Sequence, residues 1–486
     1  MREPDGNTKL VCASCVTEGY LQSLIEAKPS GSCSYCEEAA APCFEIDVLA
    51  DLVEEAFESH FRRTPSEPSD YEYALIRDRE ISYDWSRDGT PVLDVIVDIA
   101  SCEQEVAEDL LEILQDRHGS YDPSNPTGDE DEFSPESYYE RRNVNSVFWQ
   151  VQWHQLEMAL KYESRLFNQE VLNLFQNVFA GLEEARTHHG GLTIVEAGPG
   201  TELLGLYRAR EFQSQDELKK ALEEPVKKLG PPAGPIARAN RMNSSGISVF
   251  YGAKDAKSAL AEVRPAVGSQ VVVAQFMFTR PLRLLDLRSL ESITCKGSLF
   301  DPVFVQEVER IAFLRTLARR LTLPVMPGDQ DHEYLITQAV ADYLASLKKP
   351  LLDGIIFPSV QDGVGENVVL FHKASLIEHL PYPHGTRLSS SLLDYEPETD
   401  EGYPSFSIHI TQPKISKEDK RRLRLIPLEP DWEFKTEREP ALRLLIDSIV
   451  VHTVKAVEVH TSQDRVFISH GTAFERADDD GAFSEF

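Results

Sequence analysis

The sequence predicts an α+β protein built in two unlike halves, and three observations carry that reading. Four cysteines near the N-terminus stand in two Cys-x-x-Cys pairs. Apolar residues then recur at helical spacing to about residue 188. From Gly190-Gly191 onward, short strand-like runs alternate with helical ones, and glycine and proline punctuate them. The chain of 486 residues is long enough for two or three domains with sizeable cores. The expected order is a four-cysteine element over 1–42, a helical domain over 43–188, a mixed α/β domain over 190–385 and a C-terminal extension over 386–486.

The first element rests on Cys12-x-x-Cys15 and Cys33-x-x-Cys36, with 17 residues between the pairs. Each pair can present two sulfurs from a tight turn, and this spacing reads as a four-thiolate Zn2+ site of structural type. A redox role is the alternative. Cys43, Cys102 and Cys295 read as buried, inert thiols. Helices are expected over 44–61, 92–100, 103–117, 147–161 and 168–186. A loop should cover 119–137, including the acidic run 128–132. His188 and His189 are expected at a helix end, where cations favour the dipole.

In the second half, 192–196 and 203–210 read as a β hairpin or paired strands around a Gly-Pro-Gly turn. Ser214-Gln-Asp-Glu217 reads as a capping box, opening a helix that ends at Gly230-Pro-Pro232. Strands are expected at 247–251, 270–279, 353–358 and 367–372, with helices at 256–263, 302–320 and 334–348. Residues 381–397 read as a connector. Beyond it come a basic cluster at 417–424, an apolar helix around 442–451, strand-like runs at 457–460 and 465–469, and an acidic tail.

The formal net charge is −32. Residues 1–200 hold 40 acids against 14 Lys and Arg, while residues 201–486 hold 41 against 35. The acidic half disfavours nucleic acid, whose affinity comes largely from phosphate neutralisation. The balanced half can host an anionic small ligand. No apolar run approaches ~18 residues, so a membrane span is not expected. The N-terminus also lacks the apolar core of a signal peptide, which makes a cytoplasmic location the expectation.

The chemistry concentrates in one constellation. Tyr251 ends a strand-like run, and Glu262 is an isolated acid on the helix that follows, which Asp255 should cap. Arg208 and Arg210 lie upstream, and Arg241 stands ten positions before Tyr251. Cleaving a nicotinamide–ribose bond builds positive charge on the sugar as a neutral base leaves. Such a reaction needs cations for the pyrophosphate, an aromatic face for the ring and one carboxylate near the anomeric carbon. Taken singly, the parts have plainer readings. Arg208 and Arg210 suit a strand surface, Tyr251 suits packing, and Ser359 and Asn367 suit a strand-end turn. Arg264 suits a helix C-terminus, and Ser258 suits a solvated helix face. Neighbours Leu260, Ala261 and Val263 give Glu262 a partly buried setting.

These stretches together resemble the RES domain family. The matching runs are Leu206-Tyr-Arg-Ala-Arg210, Asn240-Arg-Met-Asn243, Gly246-Ile-Ser-Val-Phe-Tyr-Gly-Ala253, Ala259-Leu-Ala-Glu-Val-Arg-Pro265, Asp353-Gly-Ile-Ile-Phe-Pro-Ser359 and Gly365-Glu-Asn367. The resemblance implies an ADP-ribosyltransferase-like fold and an NAD+-degrading toxin of a toxin–antitoxin or defence system. The bond would be cleaved with water or phosphate as acceptor. It also implies roles: Arg208 and Arg241 on phosphates and ribose, Tyr251 on nicotinamide, Glu262 as catalytic acid, Ser359 positioning substrate or the attacking oxygen, and Asn367 in support. An antitoxin partner and a homo-oligomer fit the same resemblance. Protein ADP-ribosylation and a non-catalytic partner-binding module are the other readings. Residues 43–188 resemble, more loosely, helical segments of the HEPN superfamily, although no Arg-x4–6-His motif stands on a helix there.

Overall fold

The computed structural model describes residues 9–36, 38–78, 82–119, 131–142, 144, 146–165, 167–395, 402–413, 438–458 and 460–468. Near the N-terminus, β1 (Leu10–Cys12), α1 (Gly19–Glu26), β2 (Ser30–Ser32) and β3 (Ala39–Glu45) form a three-stranded sheet with one helix. Then come α2 (Ile46–His60), β4 (Phe61–Arg63), α3 (Asp70–Arg77), β5 (Thr90–Pro91), α4 (Val92–Ala100), α5 (Gln104–His118) and β6 (Tyr138–Arg141). The apolar faces of α2, α4 and α5 close over Val11, Leu21 and Ile25 into one core. A small sheet, β4-β6-β5, lies beside it, so the segment is helical in the main but not throughout. Phe300, far along the chain, is buried in this same core.

Next, α6 (Val147–Tyr162) and α7 (Gln169–Val178) precede β7 (Arg186–Thr187), β8 (Ile194–Ala197), β9 (Gly205–Phe212), α8 (Gln215–Glu223) and α9 (Pro225–Leu229). These are followed by β10 (Phe250–Ala253), α10 (Ala256–Glu262), β11 (Gln270–Phe278), β12 (Leu282–Asp286), α11 (Leu287–Leu290) and β13 (Ile293–Thr294). The long helices α12 (Pro302–Thr322) and α13 (Gln330–Ser346) come next, then β14 (Gly354–Pro358), β15 (Glu366–Leu370), β16 (Arg387–Tyr395), β17 (Gly402–Thr411), β18 (Leu442–Leu444) and β19 (Val450–Thr453). Nine of these strands make the main sheet, in the order β18-β11-β9-β10-β15-β14-β12-β8, with β19 also on β11. Its neighbours are antiparallel except β12 and β14. On one side, Trp153, Phe175 and Phe179 from α6 and α7 pack with Phe313 and Leu317 of α12 and Leu344 of α13. A second core joins Leu218, Leu222 and Leu229 to Phe250, Phe276 and Leu442. Among the described residues, no helix is long and apolar enough to cross a membrane.

Several expectations change. Residues 192–210 are not a hairpin: β8 pairs with β12 at the far edge, while β9 pairs with β11. Gly198, at φ +125°, lets the Arg280 carbonyl pass where a Cβ would lie 2.6 Å from it. The helix expected over 168–186 ends at Val178, with Gly181 in the left-handed region shortly after it. His188 and His189 therefore sit in a turn after β7, not at a helix end. Pro225 divides the helix expected over 214–229 into α8 and α9. The apolar run at 442–451 is not one helix: Leu442, Arg443 and Leu444 alternate buried and exposed as the strand β18 beside β11, a short helical turn covers Ile446–Ser448, and β19 starts at Val450. Residues 387–395, expected in a connector, pair with β17. No strand forms among the described residues of 457–468. The basic cluster at 417–424, residues 128–130 of the acidic run and the tail from 469 lie outside the described residues.

Candidate functional site

The site starts from a break in the sheet. Strand β9 pairs with β11 along its whole length, from Gly205↔Met277 to Phe212↔Gln270. Its other neighbour, β10, joins it through a single pair, Tyr207↔Ala253. Beyond that pair the strands part, and residues of both line a cavity of about 700 Å³. Arg208 reaches across the gap, donating from Nη1 to the Tyr251 carbonyl at 2.7 Å, with its guanidinium carbon 4.8 Å from the centre of the Phe250 ring. It is 6 % exposed, and its Nε has no hydrogen-bond partner. Burial and the nearby charge of Arg210 hold the guanidinium well below its ordinary pKa.

Tyr251 stands on β10 with its phenol in a fixed frame. The hydroxyl accepts from the Met242 N–H at 3.0 Å and donates to Asn243 Oδ1 at 3.1 Å. Burial holds the phenol above its ordinary pKa, although the Met242 bond works the other way. Asn243, 2 % exposed, spends its amide hydrogens on the carbonyls of Arg238, Ser244 and Ile247. Arg241 lines the cavity too, but its guanidinium donates to the carbonyls of Leu321 and Leu323 at 3.0 and 2.5 Å and lies over the Tyr334 ring. It thereby satisfies carbonyls at the end of α12, which otherwise lack partners.

The carboxylate comes from α10. Asp255 caps α10, accepting from the Ser258 N–H at 2.8 Å, and Glu262 is the last residue of that helix. Glu262 Oε1 accepts from the Ser359 hydroxyl at 2.6 Å and from Asn367 Nδ2 at 2.7 Å. Both donors are buried, at 3 % and 5 % exposure. Glu262 itself is exposed, not partly buried as its neighbours suggested, and it borders the cavity. Ser258 is fully buried rather than solvated, donating to Asp255 and lying 3.0 Å from Asp362 Oδ2. Gly365 leaves it the room: a Cβ there would fall 1.8 Å from Ser258 Oγ. Arg264 follows the helix at φ +46° and lines the cavity mouth.

The structure thus brings Glu262, Ser359 and Asn367 into contact and sets Arg208, Arg241 and Tyr251 around the same cavity. Asn243 and Arg210 also belong to the wall. Asn243 carries no sequence signal of its own, because its partner Tyr251 is eight positions away and only the turn between them brings the two together. Every lining residue falls within Tyr207–Asn367, so among the described residues the N-terminal half contributes nothing to the wall.

The four cysteines form a separate site. Their sulfurs lie within 4.8 Å of one another, with Cys12–Cys15, Cys12–Cys36 and Cys15–Cys33 at 3.8, 3.5 and 3.7 Å. A tetrahedral ion with Zn–S bonds of about 2.3 Å needs sulfurs about 3.8 Å apart. The donor set fits, and these residues can hold a metal ion. Cys43 and Cys102 are buried and Cys295 is half-buried; all three are free thiols.

Residues 206–388 match the family model of the RES domain. No curated protein and no solved structure matches the chain. The match encloses the entire cavity wall and the carboxylate cluster, and the chain carries a RES domain from Leu206 to Leu388.

Proposed function

We propose that this protein cleaves the nicotinamide–ribose bond of NAD+. The observation that carries the reading is the Glu262 carboxylate, held by Ser359 and Asn367 at the rim of a cavity walled by arginines and aromatics. Both donors fall on Oε1, which leaves Oε2 for the substrate. There it can accept from a ribose hydroxyl and stabilise the cation that develops as nicotinamide departs. Fixed donors mean the carboxylate does not reorganise as that charge appears. Tyr251 supports the nicotinamide side, Arg208 faces the phosphates, and Arg241 builds the wall between them. With water as acceptor the products are nicotinamide and ADP-ribose; with phosphate, ADP-ribose 1″-phosphate replaces ADP-ribose.

The same reading carries the remaining expectations. The cysteines hold a structural Zn2+, with four thiolates and no open position. In a cell, NAD+ loss would make the protein a toxin, held in check by an antitoxin protein. Restraint by the N-terminal half covering the cavity has no support, since among the described residues none of that half reaches the wall. The test is nicotinamide release from NAD+ by the purified chain, with Glu262→Gln as the control. Full activity in Glu262→Gln would sink the assignment. Radiolabel from NAD+ retained on protein would reassign the acceptor to a macromolecule.

A further inference from the structure

The cavity holds a cation that the chemistry above does not use. Arg210 is two residues from Arg208 on β9, so the two side chains leave the same face of the strand, and both line the cavity. Each has one internal partner: Arg208 donates to the Tyr251 carbonyl, and Arg210 Nη2 donates to the Gly230 carbonyl at 3.2 Å. The Nε of each is buried without any partner. No carboxylate is ion-paired with either among the described residues. Glu262, the one acid among the described residues that line the cavity, is bonded to Ser359 and Asn367 instead. Burial lowers the pKa of both guanidinium groups. A buried cation and a half-buried one, side by side without a counter-ion, are costly to keep, and both residues line a cavity in which a bound anion would offset that cost.

We propose that Arg210 is an anion-binding residue, forming with Arg208 a clamp for a phosphate or diphosphate group of the ligand. Placing this group on the substrate rests on the NAD+ reading; the clamp itself does not. The guanidinium fork suits phosphate oxygens better than a lysine would. Arg241, whose Nη atoms are held by the Leu321 and Leu323 carbonyls, then serves the wall rather than the phosphate.

The test uses the full chain and two readouts. In calorimetry with inorganic pyrophosphate, the wild type binds, Arg210→Met weakens binding about 10- to 100-fold, and Arg210→Lys falls between them. In nicotinamide release, Arg210→Met raises KM for NAD+ by a similar factor while kcat holds. Turnover of nicotinamide riboside, which has no phosphate, stays at the wild-type level. Absence of pyrophosphate binding in the wild type would overturn the clamp. Equal binding in wild type and Arg210→Met would overturn it too, as would an equal loss on NAD+ and on nicotinamide riboside. If Arg210→Met fails to fold by its melting curve, Arg210→Lys decides alone, and wild-type affinity in that variant counts against the forked clamp. If the wild type binds pyrophosphate in an Arg210-dependent way but releases no nicotinamide, the clamp stands and the NAD+ reading falls.

Discussion

Replacing Ser359 by alanine separates a positioned carboxylate from a merely nearby one. Ser359 is 3 % exposed, its hydroxyl donates at 2.6 Å to Glu262 Oε1, and among the described residues it shares this task only with Asn367. A hydrogen bond to a charged group contributes about 1.5–3 kcal/mol. If that energy serves to hold the carboxylate in its reactive orientation, its loss lowers kcat by about 10- to 150-fold. KM for NAD+ should hold, because the hydroxyl is spent on Glu262 Oε1 rather than left for the substrate. A smaller structural cost accompanies this: the Asp362 N–H, 3.2 Å from the same oxygen, loses its partner, at about 1 kcal/mol. The assay is therefore initial-rate nicotinamide release, followed chromatographically well below the melting transition, with the melting curve recorded alongside. A Ser359→Ala enzyme with wild-type kcat would refute the positioning argument. So would a loss confined to KM, or one that vanishes on correcting for unfolded protein.

Three further outcomes test other parts of the structure. Gly365→Ala should lower stability by about 1–3 kcal/mol in chemical denaturation, because the added Cβ meets the buried Ser258 Oγ at 1.8 Å; an unchanged midpoint would mean that this packing relaxes. Phe300→Ala should cost about 3–5 kcal/mol and open the N-terminal unit to limited proteolysis, since this ring fills a core built otherwise from residues 11–139; an unaltered digestion pattern would contradict that anchoring. Cys12→Ser should abolish metal retention, read as about one zinc per wild-type chain and none in the variant by mass spectrometry under native conditions, with a lowered melting temperature; a wild-type chain purified without metal would remove the zinc assignment.

What the sequence made legible was local. The helices at 46–60, 92–100 and 104–118 follow from apolar spacing, and the cap of α10 follows from Asp255. The strand that carries Asn367 was readable because Val368, Val369 and Leu370 are all buried and so form an apolar run. The illegible parts depend on partners distant in the chain. Leu442–Leu444 is strand because β11 offers an open edge, and an apolar run of that length fits a helix as well. The failed hairpin of β8 and β9 is the same problem, since strand order is decided by the whole sheet. In the site, Glu262, Ser359 and Asn367 could be named from their resemblance to a family. Their single shared oxygen could not be read, because separations of 97 and 105 positions leave no local trace. Ser258 misled for the opposite reason: its helical position faces solvent in an isolated helix, but here Asp362 and Gly365 close over it.

The charge map bears on why one carboxylate of so many acts alone. The chain carries a formal net charge of −32, yet its cavity wall holds five arginines and one acid. The acids nearest the site in sequence are committed elsewhere. Asp255 caps α10, Asp362 pairs with Lys257 at 2.8 Å, and Glu366 is ion-paired with Lys254 and Arg288. Their charge is met locally, and beyond about 8 Å, at physiological ionic strength, solvent ions screen what remains. A dianionic diphosphate ligand, as the proposed function requires, would therefore meet the field of the arginines in the wall rather than that of the whole chain. Within that field Glu262 Oε1 is held by the Ser359 and Asn367 donors and not by an arginine. On the proposed function, binding of an anion by the arginines and stabilisation of a cation by Glu262 would fall to different residues of one cavity wall, the separation of charge that cleavage at a sugar carbon beside a diphosphate requires.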